Sequence, residues 1–539
     1  MATLRRSCAS GPWVSRHHEA VIAGGTSTRS RHGGELDTAP FARGPVLGIA
    51  GASVGVLLAF ASRYGYHRDE LYFLAASRHL ALGYVDQPPL AVLVAWFDRV
   101  ALGDSLVGLR LIPALVTGAI VVLTGMMTRE LGGTRFAQGL AAACVASGGL
   151  LVVGHLEGPT VYDVLTWALV SWLVIRLLRT GDERLWLAVG VSVGIGIEAK
   201  QTVLLLLAGL ALGFLVNRQR NVFASRWLWA GIALALVGWA PNLVWEATHS
   251  WPTVSMDASL HAEHSGLGYA IKYPFITLLA AGAFLAPVWL AGAWSYWTDP
   301  RLRRYRAFAV AFAVGFVFLW MYIPDRFYYL FGIYPVLFAA GAIVTDEVVA
   351  GRRGFFRQEA RHRWLWRSRR ATVGIVIVNG LVFLPLGLPV LPPSAVAAAN
   401  LNKLNYNLGE EIGWHEFVHQ VTTVWRSLPP DERARAIVLT GNYGEAGALI
   451  RFAHNEVPAV YSGHNSFWSW GPPPNTASTV VAVGYARDEL APHFRQCQLV
   501  ARVHNAAGVH NDEHDVPIWV CSGPTQPWSH AWSSLKHYG

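Results

Sequence analysis

The feature that most constrains this chain is a series of apolar stretches, each about as long as a bilayer is thick, at 45–63, 107–127, 136–154, 160–178, 185–198, 201–217, 227–245, 273–295, 307–323, 327–349 and 371–391. A helix needs roughly 20 such residues to cross the hydrocarbon core, where no water is present to satisfy backbone groups. About eleven spans follow. The pair 185–198 and 201–217 also reads as one broken helix around Glu198 and Lys200, because its first half is short. Charged residues make up only 14% of the chain against 53% hydrophobic, whereas a soluble domain carries roughly 25% charged residues. A soluble multidomain enzyme is therefore disfavoured.

Arginines give an independent reading of the topology, since short cytoplasmic loops collect Lys and Arg. With the N-terminus inside, the basic residues fall in the inner loops: Arg129 and Arg135, then Arg176, Arg179 and Arg184, then Arg218, Arg220 and Arg226, then Arg301 to Arg306, then the arginine-rich loop at 350–370. The net charge of +9 is dispersed over these loops, which assigns it to topology and anionic lipid rather than to nucleic acid. Residues 1–44 lack an apolar core and read as a disordered cytoplasmic tail, not a cleavable signal peptide. The chain reads as a multi-pass protein of the plasma (inner) membrane.

The same parity puts a different set of residues outside. Asp69, Glu70 and Asp86 lie in the first outer loop, followed by His155, Glu157, Lys200, the stretch His249 to Lys272, and Asp325-Arg326. Several loops presenting Asp, Glu, His, Lys and Arg to one face favour a polar site over independent anchoring. After Leu391-Pro392-Pro393 the character changes. Short β-branched runs at 436–439, 457–461, 479–483, 499–503 and 518–520 alternate with expected helices at 410–427 and 444–454, the pattern of a small α/β domain over 392–539, outside by parity. The segment 461–474 is rich in aromatic rings, which would stack on sugar, rest on lipid headgroups or pack inside the domain. Cys497 and Cys521 share this domain, leaving open a disulfide or two buried thiols.

Three motifs carry a family resemblance: Tyr64-Gly65-Tyr66-His67-Arg68-Asp69-Glu70-Leu71-Tyr72-Phe73, Gly83-Tyr84-Val85-Asp86-Gln87-Pro88-Pro89-Leu90, and Arg326-Phe327-Tyr328-Tyr329-Leu330. Over roughly residues 45–345 the chain resembles glycosyltransferase family 39, which includes protein O-mannosyltransferases and aminoarabinose transferases to lipid A. The resemblance implies an all-α polytopic GT-C domain over 45–391 that carries the C-terminal extracytoplasmic α/β domain. It also implies a polyprenyl-phosphate sugar as donor, inversion on transfer, a mannose- or arabinose-like sugar, and a cell-envelope lipid, glycan or protein hydroxyl as acceptor.

Within that expectation each polar residue has a role. Asp69 matches the family's Asp-Glu position and is the candidate base; the competing reading is that it merely N-caps a juxtamembrane helix over 69–80. Glu70 would cap or orient, because neighbours on a helix point about 100° apart. Asp86, stiffened by the following Pro-Pro, resembles the second acidic site. Asp86 would hold the acceptor or, with His264 or His261, a divalent metal, the one candidate cofactor. Lys200, Arg326, Tyr328 and Tyr329 would meet the donor phosphate, or else snorkel and anchor at the interface. Asp163 would face the cavity and orient a loop or the sugar. A lipid-linked sugar flippase or transporter is the alternative function; it would share the spans and cations but has no need of the acidic loop or the appended domain.

Overall fold

The computed structural model describes residues 38–353 and 368–538, all within the compact unit Leu36–Gly539. The N-terminal tail, Cys8 and most of the loop at 350–370 lie outside the described residues. Helix α1 (Arg43–Phe60) leads into two short loop helices, α2 (Arg68–Ala76) and α3 (Leu90–Phe97). The bundle continues with α4 (Leu106–Glu130), α5 (Arg135–Ala146), α6 (Leu150–His155), α7 (Pro159–Thr180), α8 (Leu185–Gly196), α9 (Val203–Val216) and α10 (Arg226–Thr248). It is completed by α11 (Pro252–His264), α12 (Leu267–Ala280), α13 (Ala286–Thr298), α14 (Ala307–Tyr322), α15 (Tyr334–Val349) and α16 (Arg369–Gly387).

Every expected span has a helix or a broken pair of helices in its place. By length and apolarity, however, only seven of the described helices qualify as spans, or eight with the pair Leu267–Ala280 and Ala283–Thr298, which bends by 80°. The others are shorter pieces: α5 followed by α6, then α8 and α9. Glu198 and Lys200 sit in the break between α8 and α9, and the two helices take different neighbours. A Cβ at Gly190 of α8 would stand 2.1 Å from the Gly231 carbonyl of α10, while one at Gly213 of α9 would stand 2.5 Å from the Ala307 backbone of α14. Small residues let such backbones meet where no hydrophobic force drives helices together in lipid.

Helix polarity separates two ends of the bundle. At one end Glu130, closing α4, accepts from Arg179, while Asp346 of α15 pairs with Arg352 and Arg369 at 3.0 and 2.9 Å. The expected inner arginines thus meet acidic helix ends. At the opposite end stand α2, α3 and the loop residues of the site.

The C-terminal part folds as an α/β unit. Helices α17 (Pro393–Ala398), α18 (Trp414–Ser427), α19 (Pro430–Arg433) and α20 (Tyr443–Phe452) accompany strands β1 (Ala436–Thr440), β2 (Val460–Ser462), β3 (Thr479–Val483), β4 (Phe494–Arg502) and β5 (Pro517–Pro524). The five-stranded sheet has the order β2-β1-β3-β5-β4, parallel where β1 meets β2 and β3, antiparallel where β5 meets β3 and β4. Strands β1 and β3 are buried on both faces, which explains their unbroken β-branched runs. Cys497 and Cys521 are register partners on β4 and β5 and form a disulfide; Cys144 is free and buried.

This unit does not stand apart from the helical bundle. Leu71, Phe73, Leu74, Ala91 and Val92 of the first loop share one hydrophobic core with Phe417, Val421, Ala446 and Leu449. The aromatic segment 461–474 joins that packing: Phe467 is buried, Trp468 donates to the Trp532 carbonyl at 2.9 Å, and Trp470 stacks on His79 at 4.4 Å.

Candidate active site

The first loop is fixed at its start by a capping box on α2. His67 is the N-cap: its Nδ1 accepts from the Asp69 backbone N–H at 3.2 Å, and its own N–H donates to Glu70 at 2.8 Å. The competing reading of Asp69 as the N-cap does not hold. The helix begins one residue earlier and ends at Ala76 rather than 80, and the Asp69 side chain is left free of capping. It is 43% exposed, and its Oδ1 accepts from the Tyr443 hydroxyl at 2.8 Å.

Glu70 points the other way, into the protein. Arg110 of α4 donates to both its oxygens, at 2.9 and 2.7 Å, and the Glu157 backbone N–H adds a bond of 2.9 Å. Arg110 also donates to the Ala61 and Gly65 carbonyls at 2.8 and 2.9 Å and pairs with Glu411 at 3.1 Å. The fork geometry of a guanidinium suits this role, since five donors leave few of the surrounding acceptors unpaired. His155 closes the network at 3.0 Å from Arg110 and 3.3 Å from Glu411. Glu70 is thus taken up by the capping box and this network, on the side its helical phase relative to Asp69 requires.

Asp86 lies across from Asp69 in the same loop. The Tyr72 hydroxyl donates to it at 2.6 Å, and the Ser466 hydroxyl receives the neighbouring Val85 N–H at 3.0 Å. Its side chain keeps a partial opening to the surface. The protein packed around it nevertheless pushes its carboxyl up to about 7, with the charge of Asp69 contributing in the same direction.

The cations come from the bundle. The Lys200 ammonium lies 3.7 Å from the Tyr329 ring centroid and 5.1 Å from that of Tyr328, and reaches Thr160 at 3.4 Å. Burial lowers its proton affinity below the ordinary lysine value, and it feels the charges of Asp163, Arg326 and Asp69. Arg326 donates to the Tyr328 hydroxyl at 3.4 Å and meets His264 Nε2 at 3.0 Å. Its Nε is buried without a hydrogen-bond partner among the described residues. Tyr329 offers Lys200 its ring rather than a hydroxyl. Asp163, 2% exposed, accepts from Trp167 at 3.1 Å and Thr202 at 2.6 Å, so it fastens the segment that carries Lys200.

The residues named as candidate metal ligands are each engaged with protein groups. Asp86 is taken by Tyr72, whereas His264 is shared between Arg326 and Asp325, the latter at 3.0 Å, and His261 is bound to the Tyr322 carbonyl at 2.6 Å. Among the described residues no group of three or more His, Cys, Asp or Glu is placed to hold a metal ion. That includes His415 and His419, one helical turn apart, which line an open hollow of about 540 Å³ with His504.

Sequence reading missed Arg110, Arg68, Tyr72 and Tyr443. Arg68 and Tyr72 stand in the first family motif, and Arg110 is a lone arginine inside an apolar span, where a charge needs a partner; Tyr443 carried no signal.

Residues 86–245 match the family model of the dolichyl-phosphate-mannose-protein mannosyltransferases. The matched stretch contains Asp86, Asp163 and Lys200, while Asp69, Glu70 and Arg326 fall outside it. No curated protein matches the chain. In fold it is similar to ArnT from Cupriavidus metallidurans bound to undecaprenyl phosphate, with a TM-score of 0.54 and 15% identity over 90% of this chain and 100% of that one. The apo state of the same protein gives 0.53 and 16% over 92% and 99%. Arabinofuranosyltransferase AftD from Mycobacteria gives 0.51 and 14% over 91% of this chain and 41% of its own. The expected resemblance and fold class hold: the chain is a membrane protein of the GT-C glycosyltransferase fold whose residues 86–245 match the dolichyl-phosphate-mannose-protein mannosyltransferase family model.

Proposed function

We propose that the protein transfers a sugar from a polyprenyl-phosphate carrier to an acceptor hydroxyl on the extracytoplasmic side of the plasma membrane. The observation that supports this most is the convergence of Asp69 and Asp86 with Lys200 and Arg326, from three separate parts of the chain, at the end of the bundle opposite the arginine-bearing helix ends. The charge of Asp69 is felt at Asp86, Lys200 and Tyr328 alike. A carboxylate facing a cationic pair is what displacement of a phosphate-linked sugar needs. The phosphate is already a good leaving group, so the reaction asks for a proton acceptor and an anion site rather than for an acid.

In this reading the acceptor hydroxyl attacks the anomeric carbon from the face opposite the phosphate, and its proton passes to Asp69. The carbon–oxygen bond to phosphate breaks, and the electron pair leaves with the polyprenyl phosphate. Arg326 and Lys200 meet the phosphate charge, with the Tyr328 hydroxyl beside them. One displacement inverts the anomeric centre. Glu70 and Asp163 hold α2 and the Lys200 segment in place. Undecaprenyl phosphate, bound by the ArnT of similar fold, is the carrier class to test first, with mannose- and arabinose-type sugars.

The test is to incubate purified protein with a panel of polyprenyl-phosphate sugars and follow release of free polyprenyl phosphate, with and without cell-envelope lipid, glycan or protein acceptors. Acceptor-dependent release supports transfer. Movement of intact lipid-linked sugar across proteoliposomes without release would support a flippase instead.

A further inference from the structure

We infer that Tyr443, supplied by the C-terminal α/β unit, is a positioning residue for Asp69, so that this unit forms part of the reaction site. The inference rests on the reading of Asp69 as the base. The Tyr443 hydroxyl donates to Asp69 Oδ1 at 2.8 Å, while Oδ2 keeps only His67 Nδ1, at 3.8 Å. One oxygen is therefore fixed and the other is open to take a proton. The Tyr443 ring packs 5.1 Å from the ring of Tyr72, whose own hydroxyl holds Asp86. Two tyrosines in tilted ring contact, one from each part of the protein, thus hold the two carboxylates side by side.

Several features serve to bring Tyr443 there. It is the first residue of α20, and Asn442 and Glu445 form a capping box around it, with bonds of 2.9 and 3.1 Å. Two glycines let α20 reach α2: a Cβ at Gly447 would stand 2.8 Å from the Leu71 carbonyl, and one at Gly444 would stand 2.9 Å from Arg68 Cβ. Arg68, the residue before Asp69, lies over the Tyr443 ring at 4.8 Å and is held by Asp512, Tyr406 and Glu410 of the C-terminal unit. A hydroxyl donated to a carboxylate restricts its rotation. The other groups acting on Asp69 are His67, Asp86, Lys200 and Tyr328.

Tyr443→Phe removes the hydroxyl and keeps the ring on Tyr72 and Arg68. With full-length protein in detergent and undecaprenyl-phosphate sugar, the inference predicts that kcat per folded protein falls about tenfold with the donor KM unchanged. Tyr406→Phe, which removes a hydroxyl from the same junction without touching Asp69, lowers kcat by a clearly smaller factor. Wild-type kcat in folded Tyr443→Phe overturns the inference, and so does an equal loss in both variants or one that tracks only the fraction of folded protein. Asp69→Asn is assayed in parallel. If it retains turnover, the reading of Asp69 as base fails and takes this inference with it; if it is inactive while Tyr443→Phe behaves as wild type, only the inference fails.

Discussion

Arg110 grips both oxygens of Glu70, at 2.9 and 2.7 Å, with the two side chains 1% and 0% exposed. This pair joins α4 to the first loop. Through Glu411, 3.1 Å from the same guanidinium, it also joins both to the C-terminal unit. Removing one member of a buried pair leaves an uncompensated charge, which costs on the order of 3–5 kcal/mol. Arg110→Met should therefore abolish monodisperse protein or lower the melting temperature steeply. Pairing it with Glu70→Gln and Glu411→Gln should recover part of the loss, because no buried charge is then stranded. Melting curves of the single and combined variants in detergent provide the check, and equal loss in both would remove the pair from the account.

Much of this architecture is legible in the sequence because its cause is local. Apolar runs of bilayer length announce the spans, and Lys200 and Arg326 stand out as cations at span ends. The β-branched runs at 436–439 and 479–483 announce buried strands, and both form with little change at their ends. The cap at His67 was hidden because histidine is an uncommon cap, so the competing capping reading fell on Asp69, two residues on. Tyr443 was hidden for a different reason. It meets Asp69 across 374 positions of sequence, through a helix crossing that only the small residues Gly444 and Gly447 hint at.

Asp86 predicts a pH dependence with a definite sign. Its carboxyl is pushed from 3.8 up to about 7 in the folded protein, so between these values the native state binds a proton that the unfolded chain has lost. That contribution to stability is fully present below about pH 4 and is lost as the pH rises through about 7. Asp86→Asn should remove it. The difference between wild-type and Asp86→Asn melting temperatures should therefore change across this range, and a constant difference from pH 4 to pH 8 would contradict the assignment.

Arg326 separates phosphate binding from anchoring. Its Nε is buried and unpartnered, and Lys in its place keeps the charge but loses the fork. Arg326→Lys should raise the donor concentration needed for half-maximal rate by roughly tenfold and leave acceptor dependence alone. Steady-state kinetics with each substrate varied in turn would show it. Equal shifts for both substrates would mark Arg326 as structural.

Topology follows from the separation of the two ends of the bundle. With Cys8 and Cys144 replaced, Asn475→Cys in the C-terminal unit should react with an impermeant maleimide in intact cells, and Arg220→Cys should react only after permeabilisation. Both positions are exposed. The reverse pattern would move the site to the cytoplasm.

The most direct test of the central claim is single-turnover transfer by Asp69→Asn with a polyprenyl-phosphate sugar the wild type uses, measured beside donor binding. The amide keeps the size of the carboxylate and can accept no proton from the hydroxyl. The account predicts that donor affinity stays near wild type while the transfer rate falls on the order of 10²–10⁴-fold. Turnover within about threefold of wild type would contradict it and shift the role of base to Asp86.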